Sequence, residues 1–172
     1  MQLSRRRSGQ TMSAAFMEPG SIVWDLESVD KFDAIRETVL RSSVFDAIPG
    51  LDPQSFADVV VARELEQSTG FGYGIAIAHG RTATVLESAV ALGVSRQGIA
   101  YQSVDGLPVH LLFVVGSHPE RQIDYLQILS SLAALGRNTS ITHDVLSCIC
   151  CEDAQSVMRK AVRPFAQRVG PM

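Results

Sequence analysis

The chain has 172 residues, 46% of them hydrophobic and 19% charged, with a formal net charge of −3. That length can bury one substantial core, and the composition is that of an ordinary globular domain. A pI near 5.8 excludes the strongly basic face of a nucleic-acid-binding domain. No apolar run approaches the roughly 18 residues of a membrane-spanning helix, so membrane insertion is not expected.

In chain order, Met1 to Ser8 is basic, but no continuous apolar segment follows it, which argues against a secretory signal. Residues 1–19 hold few large apolar side chains and read as a mobile tail, with Met12 and Met17 as alternative starts. Residues 20–172 read as a single domain. Ser21 to Leu26 suits a short first strand. Asp30 to Val44 reads as an amphipathic helix carrying Phe32, Ile35, Val39 and Leu40, with Ser28 or Asp30 able to cap it. Asp52 and Pro53 open a second helix as N-cap and first residue, running to about Gln67.

Ser68 to Gly74 reads as a loop with three alternating glycines. Ile75 to Ala78 is a short apolar strand that delivers His79 at its end. Ala89 to Val94 and Ile99 to Tyr101 read as strands, and Asp105-Gly106 as a turn. Val109 to Val115 is a nearly continuous apolar run, which predicts a central strand covered on both faces. Arg121 to Leu135 is a helix whose apolar side is expected to hold Ile123, Leu126, Ile128, Leu129, Leu132 and Leu135, with Gly136 stopping it. Ile141 to Ile149 and Asp153 to Phe165 complete the chain as helices. Alternating helices and strands give an α/β fold, a mixed sheet flanked by helices on both faces.

The stretch from Ser68 to Thr82 carries the chemistry. Gly70, Gly72 and Gly74 permit backbone conformations closed to other residues, and such loops can offer several N–H groups to an anion. Gly80 leaves the imidazole of His79 uncrowded on one side, and Arg81 adds positive charge. A histidine near amide donors and an arginine suits a transferable phosphoryl group, because imidazole is nucleophilic near neutral pH and can leave again. Glycine alternation by itself is a weak signal. The order helix, loop, strand is also the reverse of a dinucleotide-binding fingerprint.

Arg63-Glu64, then Thr69-Gly-Phe-Gly-Tyr-Gly-Ile-Ala-Ile-Ala-His79-Gly80, resembles the phosphorylation motif of enzyme IIA domains of the bacterial sugar phosphotransferase system, fructose–mannitol and nitrogen-regulatory type. The resemblance continues through Ala91 to Val94, Gly98-Ile99, Asp105-Gly106 and the helix near Arg121, covering roughly residues 21–165. It implies that His79 is the phosphoryl acceptor and that Arg63, sixteen positions earlier, helps to hold the phosphoryl group. Thr69, Gly70, Gly72, Gly74, Gly80, Arg81 and Tyr125 would be neighbours of that site. Three positions depart from the pattern. Tyr73 stands at a usual asparagine, Ala78 at a usual proline, and Tyr125 at the place of a second histidine. A phenol donates a hydrogen bond but carries no positive charge.

The resemblance further implies phosphoryl transfer from an HPr-type phosphocarrier protein, with a regulatory protein or an enzyme IIB as the next partner. A free-standing chain of this length resembles the regulatory kind. Two alternatives stay open: a non-catalytic binding module of the same fold, and a sugar-transport IIA acting in trans. No cofactor is expected. His110, His118 and His143 show no metal-ligand spacing. Cys148, Cys150 and Cys151 form neither a disulfide framework nor a spaced metal site, and read as ordinary thiols of a cytoplasmic protein.

Overall fold

The computed structural model describes residues 20–138 and 140–166, so the tail read at 1–19 lies outside the described residues. Five strands are present: β1 (Ile22–Val23), β2 (Gly70–Gly72), β3 (Ile75–Arg81), β4 (Ala89–Ile99) and β5 (Val109–Ser117). The helices are α1 (Lys31–Arg41), α2 (Ser43–Asp46), α3 (Pro53–Glu66), α4 (Gln122–Gly136), α5 (Ser140–Leu146) and α6 (Cys151–Ala166). The strands form one sheet in the order β1-β4-β5-β3-β2.

β5 takes the centre because it is apolar almost throughout; only His110 in it is not buried. It pairs with β4 antiparallel and with β3 parallel, the latter through seven registered pairs from Ile75↔Leu111 to Arg81↔Ser117. Side chains alternate across a strand, so β3 serves two cores at once. Ala76 and Ala78 pack with Ala34, Ile35, Phe56 and Val60 of α1 and α3. Ile75 and Ile77 pack with Tyr125, Ile128 and Leu132 of α4 and with α5 and α6. Helices therefore cover both faces, as the sequence predicts, and the next odd-numbered residue on β3, His79, falls on the α4 side.

Caps explain where the first helices begin. The Asp30 carboxylate accepts from the backbone N–H groups of Phe32 (2.9 Å) and Asp33 (3.2 Å). Asp52 accepts from Ser55 N at 3.3 Å, with Pro53 at the first helical position. The expected single helix 30–44 is instead broken. Ser42 adopts an extended conformation and its Oγ accepts from Val44 N at 3.1 Å, which starts the short α2 rather than continuing α1.

Four other expectations are corrected. The segments Ala89–Val94 and Ile99–Tyr101 are not two strands: the first runs on to Ile99 as β4, with a register shift against β5 between Val94 and Ile99 and Gly98 at φ +90°. The expected loop Ser68–Gly74 contains β2, paired antiparallel with β3. α4 is rotated from its expected face. Tyr125, Ile128, Leu132 and Leu135 are buried, whereas Ile123 and Leu126 are 73% and 51% exposed. Gly136 is the last helical residue rather than a stop. A Cβ there would lie 3.2 Å from the Phe71 ring, so its smallness lets the helix end approach β2.

Candidate functional site

His79 lies inside β3 rather than just beyond it, with its backbone in register with Val115 of β5. Its ring is half-buried, and Nδ1 stands 3.3 Å from the Ile77 carbonyl oxygen. A carbonyl can only accept, so Nδ1 donates and Nε2 keeps its lone pair. Burial holds the imidazole below the ordinary histidine range. The Ile77 bond opposes this, the charges of Arg63 and Arg81 add to it, and Glu64 opposes it. The outcome is a neutral ring with Nε2 as a free nucleophile.

Tyr125 reaches this ring from α4. The two ring centroids are 5.3 Å apart with planes inclined at 58°. Arg81 is two residues along β3 from His79 and so on the same face; its guanidinium carbon stands 4.5 Å from the Tyr125 ring centroid. Burial raises the Tyr125 phenol above its usual value, against a hydrogen bond from Arg81 and the charges of Arg81 and Arg63, so it keeps its proton near neutral pH. Arg63 comes from the last turn of α3, where its Nη1 donates to Gln67 O at 3.2 Å. Among the described residues, neither Arg63 nor Arg81 has a carboxylate partner.

Glu64 is the residue that sequence reasoning quoted without giving it a role. It is 1% exposed and accepts from Thr69 N (3.0 and 3.2 Å), from the Thr69 hydroxyl, and from Lys31 Nζ at 3.4 Å. Lys31, itself buried, also donates to Gln102 Oε1 at 3.0 Å. Glu64 thus ties the start of the glycine segment to α1 and α3 and fixes the helix end that carries Arg63. A cavity of about 870 Å³ lies behind it, bordered by Lys31, Tyr101 and Gln102, and includes none of His79, Arg81 and Tyr125. The one available signal was an acid beside the motif arginine.

The structure brings His79, Arg63, Arg81 and Tyr125 together and disperses the glycines. Thr69 is near, since its carbonyl accepts from Ile77 N at 3.2 Å, but its hydroxyl is occupied by Glu64 and lies 3.2 Å from the Tyr101 hydroxyl. Gly70 pairs with Ala76, and a Cβ there would sit 2.7 Å from the Ser103 backbone. Gly72 and Gly74 lie at the other end of β3, roughly 16 Å from His79 for Gly74 at about 3.3 Å per residue. They shape a hairpin and make no cradle around the imidazole. Gly80 faces α3, where a Cβ would meet Val60 at 3.0 Å and Phe56 at 3.2 Å; its smallness serves helix packing as well as clearance.

With that geometry in place, the fold is that of phosphotransferase IIA proteins. The nitrogen regulatory protein IIA-Ntr from Neisseria meningitidis matches with a TM-score of 0.72 and 28% identity, over 81% of this chain and 93% of that one. The family model for the phosphoenolpyruvate-dependent sugar phosphotransferase system, EIIA 2, matches residues 15–160, and the chain belongs to that family. It is 36% identical over 127 residues to the fructose-specific EIIABC component of Bacillus subtilis, covering 73% of this chain. This chain spans only 20% of that relative's length. It is 26% identical over 148 residues to a nitrogen regulatory protein of Bradyrhizobium diazoefficiens, covering 86% of this chain and 93% of the relative. Among the described residues no helix is long and apolar enough to cross a membrane.

Proposed function

We propose that this chain is a phosphohistidine carrier of the nitrogen-regulatory kind, accepting a phosphoryl group on Nε2 of His79 from an HPr-type phosphocarrier. The observation that carries the reading is a neutral imidazole, its Nδ1–H bound to Ile77 O, lying near two arginines that have no carboxylate partner among the described residues. The Nε2 lone pair attacks phosphorus. The new N–P bond forms as the donor's N–P bond breaks, and that electron pair returns to the donor's ring nitrogen. The proton on Nδ1 stays in its bond to Ile77 O, which supports the positive charge that the phosphorylated ring acquires. Arg63 neutralises charge on the phosphoryl oxygens.

The regulatory kind is favoured because the nitrogen regulatory relative aligns with this chain nearly end to end. Its output would be phosphorylation-dependent binding of a regulatory protein, or onward transfer to an enzyme IIB. Purified chain incubated with phosphoenolpyruvate, enzyme I and HPr should take up one acid-labile, alkali-stable phosphoryl group. His79→Ala should take up none. Undiminished acid-labile label on the His79→Ala protein would rule this function out.

A further inference from the structure

We infer that Arg81 is a second phosphoryl-binding residue and that Tyr125 is its positioning residue, a flat ring that holds the guanidinium beside His79. The inference rests on the proposed phosphorylation of His79 and names how that same site stabilises the product.

Three observations carry it. First, the period of the strand puts His79 and Arg81 on one face of β3, and seven registered pairs with β5 fix that strand. Second, Tyr125 is in contact with both. Its ring is 5.3 Å from the imidazole and 4.5 Å from the guanidinium carbon, which keeps the cation within about 10 Å of the imidazole centre. The long arginine stem lets the guanidinium swing over that distance to a phosphoryl group on Nε2. Third, Arg81 is exposed and has no carboxylate partner among the described residues.

An aromatic face suits this task better than a carboxylate. It holds the guanidinium by its plane, with a hydrogen bond from Arg81 to the phenol oxygen, and leaves the other N–H groups for phosphoryl oxygens. A carboxylate would occupy the N–H fork and cancel the charge. Arg63 approaches from α3 and Arg81 from the Tyr125 side, so the phosphoryl group would be held by two cations from different elements. The phenol, although uncharged, is what presents the second of them. Its hydroxyl adds a hydrogen bond from Arg81 to the hold of the ring.

The test is a double-mutant cycle on single-turnover phosphorylation from phospho-HPr, with circular dichroism to verify folding. Arg81→Gln should slow the rate about ten- to hundred-fold, as expected for loss of one charge-assisted contact made in the transition state. Tyr125→Leu should slow it as well, whereas Tyr125→Phe, which keeps the ring, should be several-fold faster than Tyr125→Leu. In the Arg81→Gln background, Tyr125→Leu should have little further effect, because its partner is already gone. An Arg81→Gln rate equal to wild type would overturn the assignment, as would a Tyr125→Leu penalty of the same size in both backgrounds. If Tyr125→Leu fails to fold, the Arg81→Gln rate and the Arg81→Lys rate still decide, since a lysine keeps charge but loses the flat stack and the fork. Absence of label on wild-type His79 would overturn the carrier function and this inference together; label on His79 with an unimpaired Arg81→Gln protein overturns this inference alone.

Discussion

Burial and two arginines keep the His79 imidazole neutral, and its Ile77 bond does not reverse that. The acid limb of phosphorylation should therefore fall below pH 6.5, the ordinary histidine value. A ¹⁵N-detected titration of the ring gives the same quantity independently, and a midpoint at or above 6.5 would contradict it. Stability follows the same sign. Between the depressed folded value and 6.5, the unfolded chain binds more protons at this residue, so unfolding free energy from this group rises with pH and is flat above that window. Arg63→Ala should slow single-turnover transfer by about one to two decades, roughly 1.5–3 kcal/mol for one charge-assisted contact, without changing the melting temperature much. Glu64→Ala should act first on stability. It strands buried Lys31 and removes the acceptor for Thr69, a loss of about 3–5 kcal/mol that lowers the melting temperature by roughly 10 °C. His79 and Arg63 were legible because a long motif surrounds them. Glu64 was not, since a carboxylate looks exposed in a sequence until three elements close over it.

At the scale of elements, the hairpin joining β2 to β3 has Tyr73 and Gly74 as its two central residues, with φ of +58° and +77°. Both positive values belong to a type I′ turn, for which Asn-Gly is the favoured pair. A tyrosine there is held against its preference by backbone bonds: its N–H donates to Asp105 Oδ2 at 2.9 Å and its carbonyl accepts from the Thr142 hydroxyl at 2.9 Å. Those bonds survive a side-chain change. Tyr73→Asn should therefore stabilise the fold by about 1 kcal/mol, visible as a rise of a few degrees in thermal melting. β2 escaped the sequence reading because Gly70-Phe71-Gly72 has no strand propensity of its own; the pairing with β3 makes the strand. β5 was legible because its apolar run has no use except at the centre of a sheet. α4 misled because it is apolar around much of its circumference, and only the sheet beneath selects Tyr125, Ile128 and Leu132 over Ile123 and Leu126.

For the whole molecule, two cores share one sheet, and small residues set how closely the helices approach it. Gly93 on β4 faces α1; a Cβ there would lie 2.4 Å from Thr38 Oγ1 and 2.8 Å from Leu26 Cδ1. Gly93→Ala should push α1 off the sheet and cost about 1–3 kcal/mol in chemical denaturation, without touching the phosphorylation chemistry. The seven-pair ladder between β3 and β5 has a further consequence for signalling. The imidazole is mounted on a strand that is registered along its whole length against the central β5. A phosphoryl group placed there alters the local electric field far more than the shape around it. A regulatory partner would thus read the state as charge on a standing surface, and its discrimination should weaken as salt rises. Amide exchange in the β3–β5 ladder around His79 should be nearly the same with and without phosphate, while the chemical shifts of nearby arginine side chains change.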